Sequence, residues 1–181
     1  MRFFAEHGVK GMYPQGNHQS GSGEFGELHC YLLAKLMQNP FMTEEEYQSH
    51  INEFLAAYYG AGWQNIRQYI DWTCQAVQDV HMRIDMAPQC VISKEKWLAG
   101  EEQINAWWDE AECLAGDRRA CVQRSKLQWR FMKLYIHPDR EEALRFIADV
   151  KDAGIVWSEC MKIKEDADLS KSPEEWFVRM W

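Results

Sequence analysis

What most limits the fold of this chain is a succession of apolar stripes at helical spacing, each opened or closed by its own start or stop residues. From Glu24, the residues Phe25, Leu28, Leu32, Leu33 and Leu36 recur with a period of about 3.6, and Asn39-Pro40 ends the run. Thr43-Glu44-Glu45-Glu46 has the spacing of a capping box, in which the Thr and Glu side chains satisfy free backbone N–H groups reciprocally. Tyr47, Ile51, Phe54, Leu55 and Tyr58 then share one face until Gly60 and Gly62 break it. A longer helix is predicted from about Trp63 to Met82, with Ile66, Tyr69, Ile70, Thr73, Val77 and Val80 on one side.

The pattern continues after the interruption at Ala87-Pro88-Gln89. Ser93 reads as the N-cap of a helix carrying Trp97, Ile104, Trp107, Trp108, Ala111 and Leu114. Gly116-Asp117 separates it from a helix over about Arg118 to Ile136, with Cys121, Val122, Trp129, Met132 and Ile136 as its apolar positions. His137-Pro138 stops that helix, because a residue before proline is pushed out of the α region. Asp139 opens another, with Leu144, Phe146, Ile147 and Val150, which Gly154 ends. Ser172-Pro173-Glu174-Glu175 predicts a last short helix with proline at its first position. The expected fold is therefore mainly α, an antiparallel helical bundle or array over residues 24–181.

The first 23 residues do not fit that description. Residues 2–7 read as a short helix ended by Gly8, and Val9–Tyr13 as a short strand, followed by a loop dense in turn formers and amides. A lone strand has no partner in a helical bundle, so it must pair elsewhere or settle as irregular backbone.

Composition narrows the function classes. A net charge of −8 with interleaved acidic and basic residues argues against nucleic acid, which calls for a clustered Lys/Arg footprint. No apolar run approaches the ~20 residues of a membrane span, so no membrane partner is expected. The N-terminus lacks a signal peptide's apolar stretch, which places the chain as it stands in the cytoplasm. Six Cys, widely spaced and without a C-x-x-C pair, read as free buried thiols and favour a reducing compartment. Nine Trp suggest an aromatic core first and a sugar-stacking surface second.

The chemistry-bearing residues are sparse in pattern. Six His form no metal-binding spacing, and neither a nucleophile elbow nor a phosphate loop is present, so neither metal nor cofactor is expected. The carboxylate groups Glu24/Glu27, Glu44–Glu46 and Asp109/Glu110/Glu112 read as helix-end or solvated residues, since acid–base catalysis needs two carboxylates opposed across a cleft. The best candidate site is the loop Gln15–Glu24. Gln15, Asn17, His18, Gln19 and Glu24 offer donors and acceptors suited to sugar hydroxyls, with Tyr13 as a stacking face.

The stretch Phe3-Phe4-Ala5-Glu6-His7-Gly8-Val9-Lys10-Gly11-Met12-Tyr13-Pro14-Gln15-Gly16-Asn17, with Gly23-Glu24-Phe25-Gly26-Glu27-Leu28, Tyr31–Leu36 and Phe54–Gly60, resembles the domain-of-unknown-function family 4838. The resemblance covers about residues 2–70 and implies a bacterial protein related to glycoside hydrolases of the α-glucuronidase and hexosaminidase kind, with a (β/α) barrel followed by helices. It implies that residues 1–23 are the end of such a barrel, a strand and a polar rim loop, with Gln15, Asn17 and Glu24 facing the barrel mouth. It further implies that full-length relatives are exported, and that the chain here is a C-terminal segment giving a rim loop and helical support, inactive alone. The alternative is a helical protein-interaction module that docks a partner through exposed Trp. In either case uncovered apolar surface would favour a homo-oligomer.

Overall fold

The computed structural model describes residues 1–14, 25–81 and 91–155. It contains helices α1 (Arg2–Glu6), α2 (Gly26–Gln38), α3 (Glu44–Tyr59), α4 (Trp63–Ala76), α5 (Lys94–Leu114), α6 (Arg119–Ile136) and α7 (Arg140–Asp152), with single 3-10 turns at Gly60–Gly62 and Gly116–Arg118. The mainly helical expectation holds. The last short helix expected at Ser172 lies outside the described residues.

Consecutive helices from α2 to α7 pack on one another, and α3 also meets α6, so that α3, α4, α5 and α6 close a ring flanked by α2 and α7. Inside lies one core. Leu28 and Leu32 come from α2, Leu55 and Tyr59 from α3, Ile66 and Tyr69 from α4, and Trp97, Ile104 and Trp108 from α5. α6 is sandwiched. Val122, Trp129, Met132 and Ile136 face the ring, while Leu127 and Leu134 face Phe146, Ile147 and Val150 of α7 in a second, smaller cluster. The spacing of Leu127 and Leu134, two turns apart, marks this second stripe, which the sequence reading passed over.

The start signals act as read. Thr43 and Glu46 form the complete capping box, Ser93 accepts from the Lys96 amide, and Asp139 accepts from the Glu142 amide at 2.7 Å. α4 is shorter than expected, ending at Ala76 with Val77 as its C-cap. The Lys96 ammonium donates to the Ala76 carbonyl at 2.8 Å, which satisfies a terminal carbonyl and sets a positive charge at the negative helix end.

The expected strand at Val9–Tyr13 does not form, and no strand occurs among the described residues. Its first amide is already engaged. Gly8 takes a left-handed φ of 76° beyond the end of α1, and the Val9 N–H then donates to the Phe4 carbonyl at 3.0 Å. Beyond it the segment has no ladder partner, and Val9 and Tyr13 are 45% and 88% exposed. The short α1 is tied down by Arg2, whose Nη2 donates to the carbonyls of Phe41 and Met42.

Cysteines are a second correction. Cys30, Cys74, Cys113 and Cys121 are free as expected, but the first three are exposed and Cys121 is half-buried. Cys30, Cys74 and Cys113 sit at helical positions just off the apolar stripes, while Cys121 packs against the edge of the core. Cys90 and Cys160 lie outside the described residues.

The ring depends on one close approach. A Cβ built on Gly62 would lie 2.4 Å from the Ala111 carbonyl oxygen and 2.7 Å from its Cα, both backbone atoms of α5. Gly62→Ala is therefore expected to lower the unfolding free energy by about 3 kcal/mol in urea titration, because backbone cannot step aside as a flexible side chain can. Gly26→Ala, at an open helical position, should raise it by about 0.5 kcal/mol.

Candidate functional site

Of the site residues expected from sequence, the structure places one. Tyr13 stands out into solvent. Gln15, Asn17, His18, Gln19 and Glu24 lie outside the described residues, so the structure does not bring them together or apart. The far end of the loop is anchored by Phe25, the N-cap of α2, which holds a left-handed φ of 50°. Such a conformation costs a bulky residue on the order of 1–2 kcal/mol, and here the ring offsets it by packing against the core near Tyr69. Glu27 sits in the first turn of α2, in keeping with a helix-end role.

Two concavities among the described residues are lined by polar and charged side chains. The larger, of about 630 Å3, lies among the end of α3, α5, α6 and α7. Glu112 and Lys126 border it, only 18% and 17% exposed, whereas the sequence reads Glu112 as a helix-end or solvated residue. Desolvation alone would raise the Glu112 pKa, but hydrogen bonds from Gln123, Lys126 and Arg119 outweigh it and hold the carboxyl at about 2. Burial likewise opposes the Lys126 charge, and Asp109 and Glu112 raise its pKa in spite of it. On the α7 side Arg130 pairs with Glu142 at 2.8 Å and with Asp149. A carboxyl held this low is ionised at neutral pH and its oxygens already accept four hydrogen bonds, so it is poorly suited to donate a proton. The sequence signal was available: acidic residues on α5 and basic residues on α6 flank the stripes that pack these helices together.

The second concavity, a groove of about 520 Å3, runs between α3 and α4. Gln48 and Asn52 lie four apart on α3, and Trp63, Arg67 and Asp71 follow at the same interval on α4, so each set shares one face. Arg67 Nε donates to both Asp71 oxygens at 2.9 and 3.0 Å, Nη1 to Asn52 Oδ1 at 2.9 Å, and Nη2 to Gln48 Oε1 at 2.6 Å. Gln64 and Gln68 complete the lining. Apart from Trp63, which the sequence marks as a helix start, none of these residues stands out in sequence, because isolated Gln and Asn on a helix carry no motif.

A third polar group joins α2 to α3. The Tyr31 hydroxyl donates to Glu53 Oε2 at 3.0 Å and His50 Nδ1 lies 3.2 Å from the same oxygen. Hydrogen bonds from His50 and then Tyr31 lower the Glu53 pKa, yet this carboxylate is solvent-exposed, and the arrangement serves as a surface clasp. No group of metal-ligating side chains occurs among the described residues, and no described helix is long and apolar enough to cross a membrane.

Residues 1–71 match the family model described as Domain of unknown function (DUF4838). The match takes in α1 to α3 and most of α4, in agreement with the stretch over which the sequence resemblance was drawn, and leaves α5 to α7 outside it. No curated protein and no solved structure matches the chain.

The half-buried charge cluster makes stability depend on acid. Folding lowers the Glu112 pKa from its ordinary 4.5 to about 2, so its contribution is full above about pH 4.5 and is lost as pH falls toward 2. After allowance for solvent screening it is on the order of 2 kcal/mol. Thermal midpoints measured from pH 7 down to 2 should fall in that window, and Glu112→Gln should flatten the fall while lowering the midpoint at pH 7.

Proposed function

We propose that this chain is the non-catalytic, helical part of a glycoside-hydrolase-like, carbohydrate-active protein, in which the segment before α2 adds a rim loop to a sugar site and the helical ring supports it. The observation that carries the reading is the uncovered apolar arm within the stretch that matches the family model. Phe3, Phe4, Val9 and Tyr13 are all exposed, yet Arg2 fastens the arm to the turn between α2 and α3. An arm fixed at its base and apolar on its open side is suited to packing against a further body of protein, as the end of a barrel would.

The second reading, a helical interaction module, draws on the same exposed residues together with Met37 and Phe41. It no longer draws on tryptophan. Trp97, Trp108 and Trp129 are buried and Trp63, Trp72 and Trp107 partly so, which leaves none of the described indoles fully exposed. The core explanation of the high Trp content therefore accounts for these six.

A panel of glucuronides and N-acetylhexosaminides, titrated calorimetrically into the purified chain, separates the readings. Weak binding is expected, reduced at least tenfold by Gln15→Ala with Asn17→Ala at an unchanged thermal midpoint. Absence of binding across the panel, with concentration-dependent self-association that Phe3→Ser and Tyr13→Ser abolish, would favour the interaction module.

A further inference from the structure

The groove between α3 and α4 is organised around a cation whose charge is already answered. Asp71 neutralises Arg67 through two hydrogen bonds, so the pair offers little attraction for a phosphate, a carboxylate or a metal ion. What the guanidinium does instead is orient amides. It can only donate, so the oxygens of Gln48 and Asn52 must face it. The Gln48 NH2 turns to Glu44 Oε1 at 2.6 Å, and the Asn52 NH2 is directed away from Arg67. Among the described residues, the amides of Gln64 and Gln68 have no hydrogen-bond partner. They lie four apart on α4, one turn from each other, beside the partly buried Trp63, which packs on the core from the same helix.

We propose that this groove binds neutral saccharides, with Trp63 as the platform for the apolar C–H face of a sugar ring and Asn52, Gln64 and Gln68 as partners of its hydroxyls. The chemistry matches on three counts. A side-chain amide presents a donor and an acceptor in one plane, as vicinal hydroxyls do in return. An indole supplies flat apolar area at low cost in side-chain entropy. The volume of about 520 Å3 lies within the range of ligand sites, roughly 300–1,000 Å3, and the absence of net charge selects against ionic ligands. Because the groove is open, it holds one side of the chain of sugars and leaves the other wet, so affinity is modest, with Kd on the order of 0.1–1 mM. The groove shares no residue with the stretch Gln15–Glu24, so each can be tested by its own variants.

The test is an NMR titration of the isotopically labelled full chain with cellohexaose, xylohexaose, maltohexaose and chitohexaose, each in turn. At least one should shift the Trp63 indole and the Gln64 side-chain amide, and Gln64→Ala with Gln68→Ala should weaken it at least tenfold without moving the thermal midpoint. Both positions are exposed, so the double variant is expected to fold. No shift with any of the four at about 10 mM, or shifts indifferent to the double variant, would overturn the proposal. Equal shifts with inorganic phosphate would do so as well, by showing that Arg67 acts as an anion site. Binding lost in Gln15→Ala with Asn17→Ala but kept in the Gln64 and Gln68 variant would place the ligand on the loop, sinking the groove and sustaining the rim reading.

Discussion

The structure hangs on the absence of one side chain. Where α3 hands over to α4, Gly62 lets the 3-10 turn lie directly on the backbone of α5 at Ala111. That approach sets the distance at which α4 and α5 meet, and hence where Tyr69 finds Trp108 at 5.1 Å and Trp72 finds Trp97 at 5.0 Å. The aromatic interior follows from it. Gly100 repeats the device one layer on, since a Cβ there would meet the Trp72 ring at 2.7 Å. Large rings on three helices need small neighbours, and glycine supplies them.

The polar groups obey the same geometry. Trp129 is fully buried and its indole N–H donates to Asn105 at 2.8 Å, while Tyr59 bonds Ser125 at 2.8 Å across α3 and α6. Desolvation pushes the Tyr59 pKa well up, so the phenol stays neutral and can serve as a fixed strut. Arg67 and Lys126 each sit where two helices meet: Arg67 gathers one carboxylate and two amides around itself, and Lys126 two carboxylates. Charge is thus used to lock neighbouring helices.

Much of the helical layout was legible because its signals are local. Thr43, Ser93 and Asp139 cap the helices expected of them, and the Gly and Pro stops fall at or next to the ends. What escaped depends on contacts between distant residues. Leu127 and Leu134 read as incidental until α7 covers them, Leu114 and Leu144 read as core but face solvent, and Glu112 read as solvated until α6 brought Lys126 to it. The strand expected at Val9 failed for a local reason, the use of its amide to close α1. For the candidate loop the residue types were informative about chemistry, and only Tyr13 has a described position. The groove was invisible because its meaning lies in Arg67, one of many arginines in sequence and the organiser of two amides in space.

The two-faced α6 divides the molecule into parts of unequal tenacity. Its inner stripe belongs to the ring, where Val122 and Trp129 are fully buried, whereas its outer stripe meets only the small cluster with α7. Amide protons of α7 should therefore escape into solvent through an opening that leaves the ring intact, while those at the centre of α5 and α6 wait for the whole chain to come apart. A single helix thereby marks the boundary between a reversible hinge-like loosening and true denaturation.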